Sequence, residues 1–179
     1  MRTSNWIFAS ALLLATGGVS AQDAAPAAAG PTDAQIAHIV VTANQVDIDA
    51  GRLAESKAHS KDVRAFGKTM VTDHSGVNQQ AVALATRLKV TPEDNPTSQS
   101  LKMEGADNVA TLKGLKGGAF DKAYIDHEIA YHEQVLEAID KVLVPNANNA
   151  ELKALIVKVR PAFVAHLEHA KTIQAKLPG

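Results

Sequence analysis

The most constraining feature of the chain is a polar residue set into an apolar stripe. Between Val63 and Leu88, apolar side chains return every three or four residues, at Val63, Phe66, Met70, Val77, Ala81, Leu84 and Leu88. That is the period of an amphipathic α-helix with one face turned to a core. His74, in "MVTDHSGVN", falls on the same stripe. A solvated residue has no reason to be there, and a buried imidazole must have its nitrogens satisfied.

Three further segments carry a stripe of this kind. The first helix is predicted from about Asp33 to His59, with Thr32 and Gln35 forming a capping box at its start. Ile36, Val40, Ala43, Ala50 and Ala54 share its face, flanked by Ile39, Val46 and Leu53, and Asp47 stands in the middle. Ser60 caps a second helix running to about Lys89. "VTPEDNPT", Val90 to Thr97, breaks the chain before a shorter helix from about Ser98 to Lys113, which "GLKGG" ends. The fourth helix, about Phe120 to Leu143, bears Ile125, Ile129, His132, Leu136, Ile139 and Leu143, and "VPNANN" stops it. The fifth, about Ala150 to Lys176, bears Leu152, Leu155, Val159, Phe163, His166, Ala170, Ile173 and Leu177. Pro161 should kink it, because proline lacks an N–H and crowds the carbonyl one turn back. Four long one-faced helices imply an all-α fold, a four-helix bundle. A shorter crossover helix between core helices two and three makes the expected topology ferritin-like, up-down-down-up.

The first residues are expected to be removed. Arg2 supplies a positive end, "WIFASALLLA" an apolar run too short to span a bilayer, and "VSA" a small-residue cleavage site before Gln22. Residues 1–21 therefore read as a secretory signal peptide rather than a retained anchor. Residues 22–31 read as a flexible Ala/Pro-rich leader, and 32–179 as the helical domain. A periplasmic or secreted location follows, with no transmembrane span after cleavage. The net charge of −1 becomes about −2 when Arg2 is lost. With 4% aromatic residues, such a chain lacks the basic surface and stacking platforms of a nucleic-acid binder. It has no cysteine, hence no disulfide, thiolate nucleophile or zinc–thiolate site.

His74, His132 and His166 thus occupy three of the four stripes, and Asp47 the fourth. Counted from the turns, their depths differ by only a residue or two in the crossover topology, a few Å at ~1.5 Å per residue. One solution for such a group is a transition-metal ion. Neutral imidazole is a common ligand of zinc, copper, iron and nickel, and three histidines plus Asp47 make a four-ligand set, with Asp47 as fourth ligand or orienter. The other solution is a closed His/Asp hydrogen-bond network with no ion.

The neighbouring residues carry less weight. Asp73 can orient an outer partner but reads better as a solvated flank. Glu128, one turn before His132, reads as a boundary residue at the edge of the core face rather than a ligand. Tyr124 either hydrogen-bonds inward or packs near the bundle end. His38, His59 and His127 read as surface or boundary residues, His169 as near-surface, and Met70 as core filling. The Glu-x-x-His pairs of a di-iron carboxylate bundle are missing, since the residues three before each histidine are Gln35, Ser56, Val71, Tyr124, Ile129, Phe163 and His166. No histidine is followed four residues later by Glu or His, and no nucleophile elbow, phosphate loop or dinucleotide fingerprint is present. With no acid–base pair to name, enzymatic turnover ranks below a binding role.

"VDIDAGRLAESKA", "VRAFGKTMVTDHSGVN", "GGAFDKAYIDHEIAYH" and "RPAFVAHLEHA" together resemble the bacterial exported proteins grouped as domain of unknown function 4142, which are regarded as ferritin-like. The resemblance covers about Asp33 to Leu177. The family pattern maps onto Asp47, Asp73, His74, Phe120, Asp121, Tyr124, His132, Pro161, His166 and Leu167. It departs at Asp47, where the family more usually has Glu, and at Arg160, where leucine is common before the proline. The resemblance implies the fold and the export. The family has no settled activity, so storage, sensing or stress protection through a bound metal stands beside a non-enzymatic envelope protein acting through its surface.

Overall fold

The computed structural model describes residues 30–178, and among these all regular structure is helical. The expected signal peptide, and all but the last two residues of the leader, lie outside the described residues. The helices are α1 (Asp33–Lys57), α2 (Lys61–Leu88), α3 (Pro96–Gly114), α4 (Gly117–Ala138), a π-helical turn (Ile139–Leu143), the short α5 (Val144–Asn146) and α6 (Ala150–Gln174). Among the described residues no helix is long and apolar enough to cross a membrane.

Local chemistry sets the boundaries. At α1 the Gln35 N–H donates to Thr32 Oγ1 and the Thr32 N–H to Gln35 Oε1, a reciprocal cap. Asn95 caps α3 two residues earlier than expected, because Pro96 is accepted at the first helical position, where no N–H is needed. The Asp121 carboxylate, buried at the start of α4, accepts from the N–H groups of His59 and Ser60. It thereby pins the α1–α2 turn to a distant helix.

The fourth helix was expected to run to Leu143, but it leaves α-geometry after Ala138. Pro145 has no N–H to offer the carbonyl one turn back, and the Val144 N–H instead reaches the Ile139 carbonyl five residues away. Pro161, expected to kink the last helix, is accommodated inside α6. It lies on the exposed side, and the helix is continuous through it.

Helix α1 packs on α2 and α3, α4 packs on α6, and α2 on α6. The α1–α2 contact is close because glycines meet there, and a Cβ on Gly67 would lie 2.8 Å from the Gly51 carbonyl oxygen. Two apolar clusters result. One joins Ala54, Phe66, Met70, Phe120, Ile125 and Ala170; the other joins Ile39, Leu84, Leu136, Ile156 and Phe163. Helices α2 and α4 run from the first to the second, while α1 and α6 run the opposite way. The polar residues of the four stripes lie between the two clusters.

A candidate metal centre

His74, His132 and His166 are buried, at 1%, 1% and 6% exposure. The three rings face one another, with centroids 5.3–5.7 Å apart. One ring nitrogen of each lies within 4.8 Å of those of the other two.

The partners of the rings decide which nitrogens are free. His74 Nδ1–H donates to Asn44 Oδ1 at 2.7 Å. The Asn44 amide cannot be turned round, because its Nδ2 donates to the Val40 carbonyl. His132 Nδ1–H donates to the Glu128 carbonyl at 2.9 Å, one turn back on α4. His166 Nε2–H donates to Asp73 Oδ2 at 2.9 Å, across from α6 to α2. Each ring therefore has one nitrogen fixed as donor. The remaining three, His74 Nε2, His132 Nε2 and His166 Nδ1, are buried and have no hydrogen-bond partner. Fixing the far nitrogen by an oxygen acceptor is how metal-binding histidines are held in one tautomer.

Burial also keeps the His74 and His132 rings neutral. It pushes the His74 imidazole well below the ordinary histidine range, with the two neighbouring histidines adding to the effect, and lowers His132 to about 4. At neutral pH both therefore present lone pairs.

Asp47 does not join the three imidazoles. It groups instead with Glu128 and His132, one ligand atom of each lying within 4.8 Å of the others. Its Oδ2 is 3.4 Å from His74 Nδ1, the nitrogen turned toward Asn44. Of the two roles expected for Asp47, this placement favours the orienter standing behind the ring over the fourth ligand.

Glu128 is not a boundary residue. It is fully buried, because α4 is covered by α1 and α3 as well as by α6, so its buried face is wider than the apolar stripe. Tyr124 is fully buried too, and belongs to the first apolar cluster. Asp47 Oδ1, both Glu128 oxygens and the Tyr124 hydroxyl are buried without a hydrogen-bond partner. Burial, reinforced by Glu128, raises Asp47 well above the ordinary carboxylate range, and burial lifts Glu128 to about 8. The two carboxyls thus do not both ionise at neutral pH.

Asp73 is both solvated and engaged, with its side chain 47% exposed while it holds His166. His127 is half-buried and stacked on Tyr131, and His169 is exposed. Sequence reasoning missed Asn44. Its signal was a short polar residue one turn before Asp47 on a face otherwise apolar. His38, Ser98 and Asp94 form a second polar group, but Ser98 is fully buried and its hydroxyl serves the cap of α3. It offers no nucleophile to a substrate.

Compared with known families, the chain matches the one described as Domain of unknown function (DUF4142) over residues 18–173. No curated protein and no solved structure matches it.

Proposed function

The chain belongs to the family described as a domain of unknown function, DUF4142, and from that premise we propose that it is an exported ferritin-like four-helix bundle holding a transition-metal ion on His74, His132 and His166. The observation that carries this reading is the set of three buried, unpartnered ring nitrogens, one from each histidine. A closed network with no ion leaves all three unpaired, at about 1–3 kcal/mol for each buried group. A single cation satisfies them together.

The antiparallel run of α1 and α6 against α2 and α4 supports the ferritin-like topology, with α3 as the crossover. The N-terminal sequence supports export to the periplasm or beyond. Asn44, the Glu128 carbonyl and Asp73 would orient the three rings. Zinc, copper, iron and nickel all suit imidazole. Three protein ligands leave a fourth position open to a small molecule. Storage, sensing or stress protection fits such a site better than turnover, since no general acid or base faces it.

Calorimetric titration of the purified, chelator-treated chain with each of the four metals tests the proposal. One ion per chain should bind, raise the melting temperature, and bind at least about 100-fold more weakly to His132→Ala. A folded wild-type chain that none of the four stabilises would overturn it. So would a His74→Ala variant losing as much stability with metal as without, which is the mark of a structural network.

A further inference from the structure

Four oxygens of the buried polar layer take no part in the imidazole site. They are Asp47 Oδ1, Glu128 Oε1, Glu128 Oε2 and the Tyr124 hydroxyl, all buried and none with a hydrogen-bond partner. Tyr124 and Glu128 stand four residues apart on α4, the spacing of neighbours on one helix face, and Asp47 comes from α1. One oxygen of Asp47 and one of Glu128 lie within 4.8 Å of each other. Burial, then the charges of Glu128 and Asp47, raise the Tyr124 phenol well above its ordinary value, so its hydroxyl lies in the field of both carboxyls.

The two nearest imidazoles turn committed nitrogens to this group. His132 Nδ1, 3.6 Å from Glu128 Oε2, is given to the Glu128 carbonyl. His74 Nδ1, 3.4 Å from Asp47 Oδ2, is given to Asn44. The carboxyl side therefore offers an ion oxygen and no nitrogen. Among the described residues neither carboxyl has a lysine or arginine partner. A shared proton or the phenol's own would close the group through hydrogen bonds, and none of the four oxygens has one. A divalent cation would meet them together and balance two carboxylates. The spacing allows it, since two oxygens each about 2.0–2.6 Å from one ion are at most about 4–5 Å apart. Carboxylate and hydroxyl oxygens suit magnesium and manganese, whereas imidazole suits zinc, copper, iron and nickel.

We propose that Asp47, Glu128 and Tyr124 form a second cation site, built of oxygen alone, which takes a hard divalent ion of the class of manganese or magnesium behind the imidazoles. It does not require an ion on the three histidines. Manganese(II) is the probe, titrated into chelator-treated protein and followed by loss of the free-ion EPR signal. One ion per chain should bind, with a dissociation constant of about 1 mM or tighter. Glu128→Gln and Asp47→Asn should each weaken binding about tenfold or more. They act from different helices, so that one suffices if the other does not fold. His166→Ala should hold manganese within about twofold of wild type, and pulsed EPR of the bound ion should show no directly coordinated nitrogen. A folded wild-type chain that binds no manganese overturns the site, as does undiminished affinity in a folded carboxyl variant. So does a loss in His166→Ala as large as in Glu128→Gln, or a directly coordinated imidazole nitrogen. Failure of the imidazole reading has a separate signature, manganese held by a chain that none of zinc, copper, iron and nickel stabilises.

Discussion

Glu128 and Asp47 bring two carboxyl groups into a core that holds no lysine or arginine among the residues around them. Burial raises both, Glu128 to about 8 from an ordinary 4.5. Between those two pH values only the folded chain keeps the Glu128 proton, so this group's contribution to stability is present below about 4.5 and is lost as pH rises through 8. Glu128→Gln, which cannot ionise, should match wild type near pH 4.5 and exceed it by about 2–4 kcal/mol at pH 8 in metal-free urea denaturation. Parallel pH profiles for the two chains would show that Glu128 is ionised in the fold. His132, lowered to about 4, acts in the opposite sense, and its neutral burial loses stability as pH falls from 6.5 toward 4. At this scale the histidines were legible in the sequence, because each interrupts an apolar period. Glu128 was not. Its burial depends on α1 and α3 closing over a flank of α4, and no local spacing encodes that.

Most helix ends were legible to within about three residues, since capping residues and breakers act over three or four positions, although α4 begins at Gly117 rather than Phe120. Other departures came where a cap or a proline has a second use, as with Pro96 accepted into the start of α3 and Pro145 converting the end of α4 to a π-turn. How closely two helices approach is a separate matter, set between α1 and α2 by Gly51 and Gly67. A Cβ on Gly67 would meet Ala54 Cβ and the Gly51 carbonyl oxygen, both at 2.8 Å, and neither can move without its backbone. Gly67→Ala should therefore destabilise by about 1–3 kcal/mol despite alanine's better helix propensity. Gly76, on the same helix, has nothing within 4 Å of its Cβ position, so Gly76→Ala should stabilise by up to about 1 kcal/mol. Urea midpoints moving in the same direction for both variants would refute the close crossing.

Across the whole molecule, a polar layer separates two apolar clusters, and the proposed ligands come from α2, α4 and α6. An ion there would cross-link three helices at mid-length. Zinc at about 100 times its dissociation constant should stabilise the fold by about 2.7 kcal/mol. Hydrogen exchange should slow together at the amides flanking His74, His132 and His166, while the surface turns of α3, which carries no ligand, stay unchanged. Protection confined to one helix would mean that the ion does not bridge them. By itself the sequence determined the helices, their buried faces and the histidine in three of the stripes, because amphipathic period and capping are local properties of the chain. The tertiary structure alone decided which ring nitrogen of each histidine is left free, and that Asp47 stands behind a ring rather than beside the other two. Those outcomes depend on how each helix is rotated about its axis against its neighbours, and on Asn44 and Asp73 reaching across helices, relations that exist only once the four rods are packed.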